Sequence, residues 1–149
     1  MENKRQYQFR NVLIVEDDLG QQPLWQHIIS RSSENAIITW AVSAEQALTI
    51  VQGSAMHELN FDLIIVDLFL AGSETGLSFL SCKEVKQSNA QTILVSAANK
   101  DQLDEFVHKQ LQNTKVIAKP LNVVKCEKVL NELLKKRQIY ESASHQKTK

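Results

Sequence analysis

The sequence predicts an α/β protein built on a parallel sheet with helices on both faces. Five short apolar runs, rich in β-branched residues, alternate along the chain with longer segments whose apolar residues have helical spacing. The connections between them are short, and strict alternation of this kind produces parallel strands covered by helices. No internal repeat or linker is visible, so a single domain accounts for the chain.

The composition excludes several classes of protein. The chain has 149 residues, of which 43% are hydrophobic and 23% charged, as expected for one globular domain. Its formal net charge of zero gives no general attraction to nucleic acid, so no direct nucleic-acid binding is expected. No apolar run reaches the roughly 18 residues that span a bilayer, and the polar N-terminus lacks a signal peptide's apolar core. Two cysteines without metal spacing fit a reducing compartment, so a cytoplasmic location without membrane insertion is expected.

The first strand is predicted at residues 11–15, and the first helix at about residues 19–31. Pro23 is compatible with that helix only in its first turn, because proline has no backbone N–H to donate. The predicted apolar face consists of Leu24, Ile28 and Ile29, with Trp25 near its edge.

The second strand is predicted at residues 36–41, and Ser43 then opens a helix with the form of a capping box. Gly53 is expected to end that helix. Residues 61–68 form an almost continuous apolar run, which is typical of a strand buried on both faces. Asp62 is expected in solvent at the entrance of this strand.

The second half of the chain continues the alternation after a polar, glycine-containing loop at residues 71–76. Asn122 is the expected cap of the final helix. The domain is predicted to cover residues 10–137, with flexible termini at 1–9 and 138–149. The predicted helices are residues 77–87, 100–112 and 123–137, and the predicted strands are residues 92–95 and 116–118.

Polar side chains follow four of the five predicted strands. Glu16 and Asp17 follow the first strand, Asp67 the third, Ser96 the fourth and Lys119 the fifth. Because parallel strands end at the same edge of a sheet, these groups should lie together, and ligands bind at that edge in open α/β sheets. Clustered carboxylates repel each other, and a hard divalent cation such as Mg²⁺ is the usual remedy.

These groups together suit a phosphoryl acceptor. Asp67 would be the nucleophile, Lys119 and the metal would neutralise phosphoryl charge, and Ser96 would donate a hydrogen bond. Each residue also has a structural interpretation, since lone polar residues at strand ends are more often structural than catalytic. For Asp18, helix capping and participation in the site are about equally favoured.

Four motifs in this order resemble the receiver domain of two-component response regulators (CheY-like). The resemblance covers about residues 10–137. The motifs are residues 12–18 (VLIVEDD), 67–70 (DLFL), 95–97 (VSA) and 118–120 (AKP).

The resemblance implies a role for each matching residue at the metal site. Asp67 would be the phosphoacceptor and Asp17 a direct Mg²⁺ ligand. Glu16 would reach the metal through water, and the backbone carbonyl of Phe69 would be a further ligand. The resemblance also implies a flavodoxin-like, doubly wound sheet with strand order 2-1-3-4-5, which places Asp67 at the topological switch point.

The remaining implied roles concern the switch. Ser96 would be the switch hydroxyl, Lys119 would pair with Asp67, and Pro120 would follow a cis peptide bond. The sequence departs from the family pattern in two places. The family usually has proline four residues after the phosphoacceptor, where this chain has Ala71. It usually has glycine eight residues after the phosphoacceptor, whereas Gly76 is nine residues after Asp67. Val116 occupies the position of the usual aromatic switch residue.

The resemblance implies a phosphoacceptor rather than a turnover enzyme, and the few residues after the last predicted helix favour a stand-alone receiver. A sensor histidine kinase or a histidine phosphotransfer protein would phosphorylate Asp67. An output protein would bind the face formed by the fourth helix, fifth strand and fifth helix, and a homodimer is possible. The alternatives are an interaction module that is never phosphorylated, a fragment of a larger regulator, and, less favoured, a haloacid dehalogenase-type phosphatase. That phosphatase class needs a second acid where this chain has Phe69.

Overall fold

The computed structural model describes residues 7–56, 60–70, 75–97, 100–111 and 113–147. The strands form one parallel sheet in the order β2-β1-β3-β4-β5, which confirms the expected class and strand order. The strands are β1 (Asn11–Val15), β2 (Ile37–Ala41), β3 (Leu63–Asp67), β4 (Gln91–Ser96) and β5 (Thr114–Ala118). The helices are α1 (Gln22–Ser32), α2 (Ala44–Met56), α3 (Gly76–Leu80), α4 (Lys83–Gln87), α5 (Lys100–Gln110) and α6 (Val123–Lys147).

The core consists of two apolar layers, one on each face of the sheet. Every residue of β3 is buried, and its side chains alternate between the layers as the pleat requires. Leu63 and Ile65 join the layer that contains α1 and α6. Ile64 and Val66 join the layer that contains α2, α3 and α5. Among the described helices, none combines the length and the apolarity required to cross a bilayer.

The first helix differs from its prediction in two respects. Residues Leu19–Gln21 form a short 3-10 turn, and α1 begins at Gln22 with Pro23 in its first turn. Trp25 is almost fully buried and occupies the centre of the apolar face, whereas Leu24 lies at the margin of the core. The large indole ring contributes more buried area than Leu24, which explains its central place.

The single helix predicted at residues 77–87 is two short helices, α3 and α4. The backbone of Cys82 is extended, and this residue separates the two helices. At the end of α3, the Ser81 hydroxyl donates to the Leu77 carbonyl. At the start of α2, the predicted cap is present: Ser43 Oγ accepts the Gln46 N–H. Asn122 Oδ1 likewise accepts the Lys125 N–H at the start of α6.

Three predicted boundaries are wrong. Helix α2 continues past Gly53 to Met56, and α6 continues past Arg137 to Lys147, where no proline or glycine intervenes. At the other end, Phe9 is buried, and its N–H donates to Ser33 Oγ at 2.8 Å. The fold therefore includes residues that the prediction assigned to the termini.

Asp62 is buried, which corrects its predicted place in solvent. Its two carboxylate oxygens accept the backbone N–H groups of Arg10 at 2.7 Å and Asn11 at 2.9 Å. Arg137 Nη1 lies 3.7 Å from Asp62 Oδ2. One carboxylate thus joins the start of β1, the entrance of β3 and the long helix α6, and these partners compensate for its burial.

Gly76 is required by close backbone contact with the end of β3. Its N–H donates to the Leu68 carbonyl at 3.1 Å, and a Cβ atom at this position would lie 2.2 Å from the carbonyl oxygen of Asp67. The structure therefore uses glycine nine residues after Asp67 for this contact. Ala71, the other departure in this connection, lies outside the described residues.

The buried position of Asp62 predicts a stability loss on truncation. Asp62→Ala should lower the unfolding free energy by about 2–4 kcal/mol, because two backbone donors and Arg137 lose their acceptor. Urea unfolding at neutral pH measures this change. Glu105→Ala is the matched control, since its ion pair with Lys109 is exposed and should contribute less than about 0.5 kcal/mol. Equal losses in both variants would contradict the structural role of Asp62.

The surroundings of Gly76 and Gly53 predict that alanine substitutions at these two positions change the stability of the protein in opposite directions. Gly76→Ala should destabilise the protein by about 1–3 kcal/mol or more, because its Cβ meets rigid backbone. Gly53→Ala should stabilise it by roughly 0.5–1 kcal/mol, because Gly53 is helical and open space surrounds it. Thermal unfolding of the two variants compares them directly, and a stabilised Gly76→Ala protein would refute this account.

Candidate functional site

The predicted site residues converge at the carboxyl edge of the sheet. Strand β1 lies between β2 and β3, so the residues that follow Val15 lie beside the end of β3. Asp67 is opposite Val95 of β4, which places Ser96 one residue further along. Ser96 is opposite Ala118 of β5, and Lys119 follows immediately. The register of four strands therefore assembles the side chains.

Three carboxylates form a compact acidic cluster at this edge. One oxygen from each of Glu16, Asp17 and Asp67 lies within 4.8 Å of the other two. Glu16 and Asp67 are buried, and Asp17 is exposed. Hard oxygen ligands around an opening to solvent fit a hard divalent cation such as Mg²⁺, which also keeps several of its waters. The donor set is therefore suitable for the expected metal.

Both carboxylate oxygens of Asp67 have partners. Lys119 Nζ lies 2.5 Å from Asp67 Oδ2 and 3.4 Å from Glu16 Oε2. The backbone N–H of Phe69 donates to Asp67 Oδ1 at 3.0 Å, so the first turn after β3 fixes the orientation of the carboxylate. The side chain of Phe69 is exposed. The predicted pairing of Lys119 with Asp67 is thus present in the geometry.

Burial and the neighbouring charges change two pKa values at the site. Burial, together with the neighbouring Asp67, raises the pKa of Glu16 to about 7. Burial alone would lower the pKa of Lys119, but the hydrogen bond to Asp67 and the charge of Glu16 raise it above its ordinary value. A proton on Glu16 and a firmly charged Lys119 both reduce the repulsion among the acids when no cation is bound.

Ser96 and Lys119 are linked through the backbone. Ser96 is buried at the end of β4, and its carbonyl accepts the Lys119 N–H at 2.8 Å. The peptide bond between Lys119 and Pro120 is cis, as the family resemblance implied. Val116, at the expected aromatic position, is buried in the core.

Asp18 has two local roles that its position in the sequence left open. Its side chain accepts the Gly20 N–H at 2.9 Å and caps the 3-10 turn. Its own N–H donates to Glu16 Oε1 at 3.1 Å, which holds one of the acids in place. The sequence named Gly76 only as a departure from the family spacing, and its close contact with the backbone of Asp67 was not predicted. Glycine after a polar loop is a signal for such close contact.

Several solved structures share the fold of this chain. The fold is similar to a CheY-like response regulator receiver domain from Methanospirillum hungatei JF-1 (TM-score 0.70, 20% identity, covering 88% of this chain and 98% of that one). It is similar to the receiver domain of NtrX from Brucella abortus (TM-score 0.67, 21% identity, 83% and 98% covered). It is also similar to the HemR receiver domain from Leptospira biflexa (TM-score 0.67, 19% identity, 84% and 94% covered).

Comparison with curated protein sequences finds no match. Residues 12–131 match the family model of the response regulator receiver domain, and this segment contains every residue of the site described above. The chain therefore belongs to the response regulator receiver domain family.

Proposed function

We propose that this receiver accepts a phosphoryl group on Asp67 from a phosphorylated histidine of a partner protein and then changes its protein contacts. The observation that supports this most directly is the environment of Asp67. Its carboxylate stands beside two further acids and 2.5 Å from the Lys119 ammonium group, at an edge open to solvent. A nucleophile, a countercharge and metal ligands are therefore combined in one place.

The metal proposed for this site is Mg²⁺. Its direct ligands would be Asp17, Asp67 and the backbone carbonyl of Phe69. Glu16 would contact the metal through a water molecule. When bound, the cation neutralises charge on the transferring phosphoryl oxygens. The exposed position of Asp17 leaves room for the waters that Mg²⁺ retains.

The residues of the chain have separate tasks in the proposed transfer. One oxygen of Asp67 attacks phosphorus, the phosphorus–nitrogen bond of the phosphohistidine breaks, and the imidazole leaves with the electron pair and takes up a proton. The Phe69 N–H holds the carboxylate in orientation through Oδ1. Lys119 neutralises negative charge, and the Ser96 hydroxyl would donate a hydrogen bond to the transferred group.

The proposed output is a change of partner on the face formed by α5, β5 and α6. These are the fourth helix, fifth strand and fifth helix of the prediction, because the predicted third helix is divided in the structure. Ser96 and Lys119 connect the site to β4 and β5, which border that face. We propose a stand-alone receiver whose own surface provides the output. Dimerisation through the same face would be one form of that output.

The central test is phosphorylation by a small donor. With Mg²⁺ and acetyl phosphate, the wild-type chain should gain the mass of one phosphoryl group, and Asp67→Asn should not, because an amide is not a nucleophile here. Asp62→Asn is the matched control, since it changes the other buried aspartate of the same segment. Intact-protein mass spectrometry records all three.

Two outcomes would refute the proposal. An unchanged mass of the wild-type chain would favour an interaction module that works without phosphorylation. Steady release of phosphate at enzymatic rates would favour the phosphatase alternative.

The raised pKa of Glu16 predicts how pH affects the stability of the metal-free protein. The pKa of Glu16 is about 7 in the folded protein and ordinarily 4.5, so the folded protein binds this proton more tightly than the unfolded chain does. The contribution of Glu16 to stability is therefore lost as pH rises from about 4.5 to 7. At pH 8 in a chelator, Glu16→Gln should be more stable than wild type by on the order of 1–3 kcal/mol.

The difference should become small near pH 4, where Glu16 is protonated in both states. Urea unfolding at both pH values measures it, and added Mg²⁺ should stabilise the wild type more than the variant at pH 8. A Glu16→Gln protein that is less stable than wild type at pH 8 without metal would show that the charge of Glu16 does not destabilise the folded protein.

A further inference from the structure

The two edge strands of the sheet differ in how they are protected from other chains. Strand β5, at one side of the sheet, contains Lys115 and is followed by Lys119 and Pro120. Strand β2, at the other side, has the sequence IITWA, with no charged residue, glycine or proline. Lysine and proline prevent an edge strand from pairing with a second chain. Strand β5 therefore has this protection, and β2 does not.

The backbone of β2 alternates between its neighbour β1 and the open side of the sheet. The Ile37 N–H faces β1, where it donates to the Arg10 carbonyl at 2.8 Å. Because successive residues of a strand alternate, the N–H and C=O groups of Ile38 and Trp40 point away from β1. No described strand lies on that side of β2. Two residues thus present backbone donors and acceptors to an incoming strand.

The side chains of β2 are apolar and incompletely covered. Ile37 is 67% exposed, while Ile38 and Trp40 are half-buried and pack at the margin of the core layer that contains α1. Ile38 and Trp40 also line a cleft of about 240 Å³, together with residues of α1. Apolar surface and strand positions without a neighbour therefore occur together, a combination that favours the addition of another strand.

The sequence of β2 is complementary to itself in the antiparallel direction. When Thr39 lies on a two-fold axis, Ile38 of one copy is opposite Trp40 of the other. These are the residues whose backbone groups point outward, so each such pair would exchange both of its N–H···O bonds. An aromatic residue opposite a β-branched one is a favourable cross-strand pair, and so is threonine opposite threonine. A second copy of the strand thus satisfies both the backbone and the side chains.

The charges at the ends of the sheet favour the same arrangement. Asp17 and Asp18, which follow β1, are both exposed, so the carboxyl end is acidic. At the amino end, the exposed Arg10 balances the exposed Glu34. Antiparallel pairing puts the acidic end of one copy on the same side of the joined sheet as Arg10 of the other. A parallel neighbour of the same kind would bring two acidic ends together, which is repulsive.

We propose that two copies of the unphosphorylated chain pair through β2, antiparallel about Thr39, and join their sheets into one. Strands β2 and β5 are at opposite sides of each sheet, so this contact leaves the face formed by α5, β5 and α6 uncovered. The inference does not depend on phosphorylation of Asp67. Because one pair of short strands forms a small interface, the dimer should be reversible, with a dissociation constant on the order of 1–100 µM.

The test measures the oligomeric state of the full chain by sedimentation equilibrium, without a phosphodonor. Thr39→Lys places two ammonium groups opposite each other on the two-fold axis, and Thr39→Glu places two carboxylates there. Ile37→Lys adds a lysine to the same strand at an exposed position that the fold does not need. Ile139→Lys is the matched control, because Ile139 is 70% exposed and lies in α6. Circular dichroism confirms that each variant folds.

The wild type, the control and Asp67→Asn should dimerise with dissociation constants within about twofold of one another. Thr39→Lys and Ile37→Lys should each weaken the dimer by at least about tenfold. An equimolar mixture of Thr39→Lys and Thr39→Glu should recover the dimer. The reason is that residue 39 meets its own copy across the axis, so a lysine would then face a glutamate.

Other results would overturn the inference. A wild-type chain that stays monomeric up to about 1 mM lacks the contact. A dimer that Ile37→Lys and Thr39→Lys leave as tight as the control uses another surface, such as the face formed by α5, β5 and α6. If each Thr39 variant is monomeric and their mixture remains so, the two copies do not meet about Thr39.

Discussion

The crowding of three carboxylates at one edge of the sheet is the constraint on which the rest of the site depends. The hydrophobic sheet holds Glu16 and Asp67 in place, because each follows or ends a strand whose residues are buried. The repulsion is offset locally by the Lys119 ammonium group and by backbone N–H donors from Asp18 and Phe69. A bound cation would relieve the repulsion that remains among the three acids.

The sequence predicted the features that depend on short-range pattern. Strand identity follows from apolar runs, and the convergence of Asp67 and Lys119 follows from parallel strands that end at one edge. The features that it missed depend on distant partners. Asp62 was predicted to lie in solvent because the groups that bind its carboxylate are far away in the sequence, at the start of β1 and in α6. The close contact at Gly76 likewise exists only once the chain after β3 has folded back.

The family membership explains the architecture but leaves the output specific to this chain. Val116 is buried where an aromatic switch residue was expected, so rotation of an aromatic ring at that position is not available to report on Ser96. Among the contacts of the described residues, the hydrogen bond between Lys119 and the Ser96 carbonyl and the register of β4 with β5 link the site to that side of the sheet.

Both ends of the β3 segment are held by carboxylates. At the amino end, Asp62 is bound to the start of β1 and lies near Arg137, and at the carboxyl end Asp67 is bound by Lys119 and the Phe69 N–H. One carboxylate of this segment ties β3 to its neighbour β1, and the other ties it to Lys119, which follows β5. Strand β5 is not a neighbour of β3 in the sheet. Two acids five residues apart therefore couple strands on both sides of the central strand, beyond the ladder of backbone hydrogen bonds.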